Sequence, residues 1–249
     1  IKTHHNDVSA VREARSKGLI IETNSDWHKD EVRKVARKLG LAEEIASRQP
    51  FPGPGLAIRL IGHNRSEEAV IPVEAVEKVN DILNGTNQSA QILPLRSVGV
   101  QGDARSYRNL CVMLGNKLDL NWNLVTTKAK EITDNVHSIN RVAYILNKDK
   151  IEGTINCFDM SICDEAVDLL REVDSIVTSN LEKSKANQTF AVLIPIGINK
   201  KYSVAIRTFV TNDFMTGRPA SIGTEASKED IANIVKEIED RFGDKIEFI

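Results

Sequence analysis

The sequence has 249 residues, and its 33 Lys and Arg against 35 Asp and Glu give a net charge of −2. This near balance argues against a broadly polycationic nucleic-acid-binding protein. Hydrophobic residues make up 41% and charged residues 27% of the chain, which excludes a collagen-like, coiled-coil or wholly disordered protein. Aromatic residues make up only 5%, so we expect a core built mainly from Val, Ile, Leu and Ala.

The cysteines and the apolar runs indicate the compartment. Cys111, Cys157 and Cys163 are odd in number and lack the paired Cys or Cys/His spacing of a zinc site. No uncharged run reaches the roughly 18 apolar residues of a membrane span, and no secretion signal is recognisable. We therefore expect a cytoplasmic protein with no bound metal, no membrane association and no nucleic-acid partner.

The first sixty residues read as the end of an α/β unit. The pattern predicts a helix from Asp26, as its N-cap, to Leu39, followed by Gly40 as a stop signal. The stretch 51–55 (FPGPG) breaks the pattern, and we predict a domain boundary near residue 62. Because the first residue is Ile1 and not Met, we expect further residues before it.

The remainder reads as an α+β region with an internal repeat of the order β-β-α-β. The predicted copies span about 91–146 and 188–249, and each has a proline in its first strand, Pro94 and Pro195. We expect two antiparallel sheets, each backed by a helix. The predicted helices are 72–83, 121–136, 164–181 and 227–242, and the predicted strands are 91–101, 108–114, 141–146, 188–197, 202–211 and 245–249.

A short polar cluster opens the chain. Lys2, His4 and His5 place one ammonium and two imidazole groups close together. Adjacent histidines diverge, which makes them poor ligands for a single metal ion. A loop that brings Lys and His to a phosphate is one reading, and a solvated polar loop is the other.

A second group of polar residues lies on predicted strands. Asp103 and Arg105 lie two residues apart in a glycine-flanked turn, so they can face one ligand, the Arg binding a phosphate and the Asp accepting from a base or ribose. The alternative is that the two side chains pair with each other. Gln188 and Arg207 are strand residues whose type alone indicates neither a ligand contact nor a structural role. The sequence has no Walker A loop, GxGxxG, GxSxG or HExxH motif.

Six motifs resemble, in content and in order, those of glutamine-hydrolysing GMP synthetase. The longest are 48–59 (RQPFPGPGLAIR) and 97–107 (SVGVQGDARSY). The others are IKTHHN at 1–6, HKDEVR at 28–33, NRVAY at 140–144 and RTFVTNDFMTG at 207–217. The second β-β-α-β copy is similar to the larger, eukaryotic form of this family.

The resemblance implies a fold and a reaction. Residues 1–62 would be the end of an ATP-pyrophosphatase domain, of the adenine-nucleotide α-hydrolase-like type. Residues 63–249 would be the α+β dimerisation and XMP-binding region. The family aminates xanthosine monophosphate (XMP) to GMP through adenyl-XMP, using ATP with Mg²⁺ and ammonia that an amidotransferase domain of the same polypeptide releases from glutamine.

The sequence contains neither the nucleophilic Cys of an amidotransferase nor an SGGxDS pyrophosphate loop, so most of the ATP site would lie outside it. We expect the chain to be inactive alone and to form a homodimer. Two alternatives stay open: a catalytically silent dimerisation module, and a nucleotide-sensing regulatory protein.

The resemblance also assigns roles to single residues. Asp103, Arg105, Gln188 and Arg207 match XMP-facing positions, although for Arg207 a role in core pairing stays open. The first copy keeps GDAR at 102–105 and the second keeps AIR at 205–207, which predicts one site built from both copies. The family's carboxy-terminal Lys-Pro-Pro tail has no counterpart before Ile249. The catalytic residues implied by the lid motifs are Lys2, His4, His5, Lys29 and Asp30.

Overall fold

A computed structural model describes residues 9–24, 26–47, 55–101, 104–115, 121–211 and 217–249. Contacts between residues divide the chain into two compact units, Ile1–Gln49 and Pro50–Ile249. The division falls before the boundary predicted near residue 62. Leu60 forms a parallel bridge with Leu193, and His63 an antiparallel bridge with Met160, so the residues on both sides of 62 are tied to the second unit.

The described part of the first unit is helical. It contains α1 (Ser9–Ser16), α2 (Lys29–Lys38) and the short α3 (Glu43–Ala46). Helix α2 begins later than predicted, because the N-cap is His28 and not Asp26. The backbone N–H of His28 donates to the Glu31 carboxylate at 2.6 Å, which satisfies a group left open at the helix start.

The first part of the second unit is a three-stranded sheet. Helix α4 (Val73–Leu83) precedes β1 (Gln88–Gln101) and β2 (Ala104–Gly115), and α5 (Trp122–Asn135) leads to β3 (Ile139–Tyr144). Strands β1 and β2 are antiparallel, but β2 and β3 are parallel. The prediction of a purely antiparallel sheet is therefore wrong here, because α5 returns the chain to the end of the sheet at which β2 began.

The rest of the second unit is organised around a β-ribbon. It comprises β4 (Asn156–Cys157), α6 (Asp164–Asn180), β5 (Gln188–Ile194), β6 (Ile196–Gly197), β7 (Ser203–Phe209) and α7 (Lys228–Phe242). Strand β5 pairs antiparallel with β7, and β4 with β6. Instead of the strand predicted at 245–249, Ile246 forms a single parallel bridge with Tyr202. One apolar cluster joins α6 and α7 to the ribbon, through residues such as Leu170, Val173, Leu193 and Ile234.

Pro94 and Pro195 interrupt their strands in the same way. The β1–β2 register shifts between Leu93 and Arg96, and Pro195 separates β5 from β6. Proline lacks the N–H that a strand ladder needs. Each proline carbonyl instead accepts a hydrogen bond from another segment, from the N–H of Ala69 at 3.1 Å and from that of Phe158 at 2.9 Å. In the part of the chain that the structure describes, no helix is long and apolar enough to span a membrane.

Glu247 anchors the last segment of the chain. Its side chain is 3% exposed and accepts from Lys148 Nζ at 2.8 Å. It also accepts from the backbone N–H groups of Asn199 at 3.0 Å and Lys200 at 3.1 Å. Burial raises the pKa of Glu247, but these three donors outweigh burial and leave the pKa below its ordinary value.

We expect Glu247→Gln to lower the free energy of unfolding at pH 7 by about 1–3 kcal/mol, since it removes a charge-assisted buried acceptor. A lowered folded-state pKa stabilises the fold above the unfolded-state pKa, and that stability is lost as pH falls through the folded-state value. The difference between wild type and variant should therefore shrink with acidification below about pH 4.5, the ordinary value. Urea unfolding at several pH values measures this difference in the free energy of unfolding. The exposed Glu172→Gln is the control, and an equal effect of both variants would contradict the assignment.

Candidate functional site

The β1–β2 hairpin carries the predicted Asp/Arg turn at its tip. Val100 pairs with Arg105 and Gln101 with Ala104. The Arg105 side chain is exposed, and among the described residues it forms no ion pair or hydrogen bond. Asp103 lies outside the described residues, so a pairing between Asp103 and Arg105 stays a prediction. Arg105 is therefore an exposed cation near the tip of a long hairpin.

Asn140, at the start of β3, fastens the hairpin just behind this tip. Its Nδ2 donates to the carbonyl of Ser97 at 2.8 Å and to that of Ser106 at 3.1 Å, and its Oδ1 accepts from Ser97 Oγ at 2.5 Å. Gly99 is required for this approach, because a Cβ at position 99 would lie 2.9 Å from that of Asn140. These contacts hold in place the part of the β1–β2 hairpin that carries Arg105.

Arg141, the next residue of β3, contacts the same hairpin. Its Nε donates to the carbonyl of Val98 at 2.6 Å, which leaves its terminal nitrogens for other partners. Partial desolvation by the surrounding protein lowers its pKa, although part of the residue remains exposed to solvent. Among the described residues Arg141 has no carboxylate partner. A cation in this state favours an anionic ligand.

Arg207 and Gln188 share one face of the β5–β7 ribbon. The register pairs Phe190 with Arg207 and Gln188 with Phe209, so these four side chains lie on the same side. The Arg207 guanidinium carbon is 5.3 Å from the centroid of the Phe190 ring and 6.0 Å from that of Phe209. A Cβ at Gly217 would overlap the Phe209 ring, so glycine is needed beside this stack.

Arg141 and Arg207 are close enough for their charges to repel. Partial burial lowers the pKa of Arg207, and the positive charge of Arg141 lowers it further. Within the described part of the chain no carboxylate forms an ion pair with Arg207. The two positive charges repel each other, and an anion bound between them would offset that repulsion. The guanidinium fork suits a phosphate or carboxylate group.

The structure describes only some of the other predicted site residues. Lys2, His4, His5 and Asp103 lie outside the described residues. Lys29 is the first residue of α2, and Asp30 follows it with a side chain 63% exposed and 3.9 Å from Lys34 Nζ. In the described ranges no group of three or more His, Cys, Asp or Glu residues could hold a metal ion.

Sequence reasoning did not select Arg141 as a site residue. It lies in the 140–144 motif, but an arginine in a strand has no local signature that separates a ligand contact from a solvated side chain. What the sequence did offer was the internal repeat. Because each copy keeps a different part of the motifs, the repeat predicted one site with residues from both copies. In the structure the positive charge of Arg141, of the first copy, acts on Arg207, of the second.

Comparison with known proteins finds similarity to part of several glutamine-hydrolysing GMP synthases. The chain is 33% identical over 284 residues to the GMP synthase [glutamine-hydrolyzing] of Dictyostelium discoideum, covering 96% of this chain and 40% of that protein. It is 31% identical over 308 residues to the probable GMP synthase [glutamine-hydrolyzing] of Caenorhabditis elegans, covering 96% of this chain and 41% of that protein. No family model matches the sequence.

These matches confirm the resemblance drawn from the motifs: the chain is homologous to a part of the GMP synthases. A third relative is similar over less of the chain. The GMP synthase [glutamine-hydrolyzing] of Crocosphaera subtropica is 39% identical over 171 residues, covering 62% of this chain and 31% of that protein. The chain spans about two fifths of the length of the first two relatives. Both of those alignments are longer than the 249 residues of this chain, so these relatives contain insertions that it lacks.

Proposed function

We propose that the chain acts in GMP synthesis as part of a glutamine-hydrolysing GMP synthase and supplies its XMP-binding surface. The observation that carries this proposal is the pair Arg141 and Arg207, two neighbouring arginines without a carboxylate partner among the described residues. XMP carries a phosphate dianion, a chemical group that guanidinium groups bind well.

The proposal assigns a contact with XMP to each candidate site residue that the structure describes. Arg141 and Arg207 bind the phosphate, and the phenyl rings beside Arg207 hold its guanidinium plane in place. Gln188, on the same face of the ribbon as Arg207, presents an amide to the ribose or base. Arg105 reaches the nucleotide from the hairpin tip, together with Asp103. One chain then builds the site from both halves of its second unit.

The reaction itself would need groups beyond these. We propose that ATP with Mg²⁺ adenylates the C2 oxygen of XMP and that ammonia then displaces AMP. The ammonia comes from an amidotransferase domain of the same polypeptide. Lys2, His4, His5, Lys29 and Asp30 would belong to the lid over ATP, where cations stabilise charge that develops as pyrophosphate leaves. The enzyme would act in the cytoplasm, and the 249 residues alone would not make GMP.

Homodimerisation is the second part of the proposal. It is supported by an apolar face before and along α4, where Val70 is 84%, Val73 72% and Val76 42% exposed. An apolar patch of this kind is typical of a surface that another protein covers. Sedimentation of the purified chain at several concentrations tests this part, and a strict monomer at micromolar concentration would contradict it.

Calorimetric titration of XMP, with GMP and AMP as comparators, tests the proposed function. All three share a phosphate, so the phosphate site alone predicts some binding of each, whereas the contacts to the base predict a preference for XMP. We expect XMP to bind at least tenfold more tightly than AMP. Equal binding of the three nucleotides would support a general phosphate site, and no binding would leave a dimerisation module; either result would overturn the proposal.

A further inference from the structure

Residues 217–226 run alongside the end of β7, next to the proposed phosphate site. Arg218 forms an antiparallel bridge with Val210, through backbone hydrogen bonds of 2.8 and 3.0 Å. The N–H of Ala220 donates to the hydroxyl of Thr208 at 3.2 Å. The segment is therefore attached at two points to β7 and to the residue that follows it.

Gly217, at the start of this segment, lies against the ring of Phe209. A Cβ at position 217 would overlap the ring, and its three nearest neighbours would all be ring carbons of Phe209. The centroid of this ring is 6.0 Å from the guanidinium carbon of Arg207, and that of Phe190 is 5.3 Å from it. A shift of the segment would therefore move one of the two rings that contact Arg207.

An ion pair closes the segment on itself. Arg218 Nη2 donates to Oε1 of Glu225 at 2.5 Å, and Nη1 donates to Oε2 at 3.3 Å. The N–H of Ser221 donates to the same Oε2 at 2.8 Å. The hydrogen bonds from Arg218 and from the Ser221 backbone lower the pKa of Glu225 to about 2, so its carboxylate stays charged at neutral pH. We call the pair Arg218 and Glu225 the clasp.

The clasp restricts local geometry more than it stabilises the whole fold. The Arg218 side chain is 56% exposed, and exposed ion pairs contribute little to the free energy of unfolding. A pair with two hydrogen bonds nevertheless fixes the orientation of both side chains. Because Arg218 directly follows Gly217, the clasp holds the backbone that contacts the Phe209 ring.

We propose that the clasp orients Arg207 through Gly217 and Phe209, which makes Arg218 and Glu225 positioning residues for the phosphate site. The inference rests on the proposed function, because it concerns an arginine that would bind XMP. When only a fraction of molecules holds Arg207 in the binding orientation, the apparent affinity falls by that fraction. The clasp therefore strengthens XMP binding without contacting XMP.

Nuclear magnetic resonance of the chain without ligand tests the orientation of Arg207. Protons above an aromatic ring are shifted upfield, so the Hε signal of Arg207, identified by its loss in Arg207→Lys, reports contact with the rings. We expect Arg218→Gln to move this signal towards that of an arginine without aromatic neighbours, and Gly217→Ala to move it further. The matched control is Arg37→Gln, which breaks the exposed two-bond pair of Arg37 with Glu43 in the first unit and should leave the signal unchanged.

Calorimetric titration measures the consequence for XMP. We expect Arg218→Gln to weaken XMP binding about three- to tenfold, because fewer molecules hold Arg207 in the binding orientation. Urea unfolding of this variant should match that of wild type. Exchange of the two charges, by Arg218→Glu together with Glu225→Arg, re-forms the ion pair and should recover part of the lost affinity. Arg37→Gln should bind XMP as wild type does.

Three results would overturn the proposal. They are an unchanged Arg207 signal in both Arg218→Gln and Gly217→Ala, wild-type XMP affinity in Arg218→Gln, and no recovery of affinity after the charge exchange. Failure of the wild-type chain to bind XMP would contradict the proposed function, whereas the Arg207 signal, recorded without ligand, would still decide whether the clasp orients this arginine.

Discussion

Replacement of Arg207 by alanine is expected to weaken XMP binding about 10- to 100-fold. A hydrogen bond to a charged group contributes about 1.5–3 kcal/mol, and about 1.4 kcal/mol corresponds to a factor of ten in affinity. The same change should not lower the free energy of unfolding by more than about 1 kcal/mol. It removes a partly desolvated cation whose pKa is already lowered by burial and by the charge of Arg141.

Two further variants complete this test: one separates the charge of Arg207 from the shape of its guanidinium group, and the other is a control at the surface. Arg207→Lys keeps the positive charge but loses the planar fork, so we expect an intermediate affinity. Arg171→Ala removes an arginine of α6 that is 63% exposed and pairs with Asp168, so XMP affinity should not change. Calorimetric titration measures all three variants. Wild-type affinity in Arg207→Ala, with a fold shown intact by circular dichroism, would assign Arg207 to core pairing and not to the ligand.

The largest effect on stability is expected from Asp174→Ala. Asp174 of α6 forms an ion pair of 2.5 Å with Arg59, whose side chain is 4% exposed, and the same Oδ1 accepts from the N–H of Ala191 in β5 at 2.8 Å. One carboxylate therefore joins three segments. Removal of one partner from a buried ion pair is strongly destabilising, by about 3–5 kcal/mol.

Urea unfolding at pH 7 measures this cost. Asp168→Ala is the matched control, because Asp168 lies on the same helix, is 64% exposed and pairs only at the surface with Arg171. We expect the control to change the free energy of unfolding by less than about 0.5 kcal/mol. Asp174→Asn, which retains an oxygen acceptor for Ala191, should fall between the two. Similar losses in Asp174→Ala and the control would mean that the buried pair does not stabilise the fold.

Helices were the most predictable part of this fold. The apolar spacing of residues 72–83 and 227–242 corresponds to α4 and α7 within a residue at each end. Local chemistry fixes these ends, as at Ser227, whose hydroxyl accepts from the N–H of Asp230 at 2.9 Å. The pairings of strands were less predictable. The parallel direction of β3 and the two-residue ladder of β4 with β6 depend on distant segments, and neither leaves a periodic pattern in the sequence.

The site was predictable only in part for a similar reason. Gln188 and Arg207 could be named from the motifs, but their position on one face follows from the β5–β7 register. The neighbour of Arg207 is Arg141, and no spacing in the sequence brings these two residues together, since the second unit folds them into proximity.

A crystal structure of the chain with XMP would decide whether the two arginines form the phosphate site. We predict that the phosphate lies between the guanidinium groups of Arg141 and Arg207, with hydrogen bonds of about 2.7–2.9 Å, and that Gln188 faces the ribose or base. We also predict no carboxylate within that distance of either arginine. A phosphate bound elsewhere, or the two arginines paired with carboxylates in the complex, would contradict the proposed site.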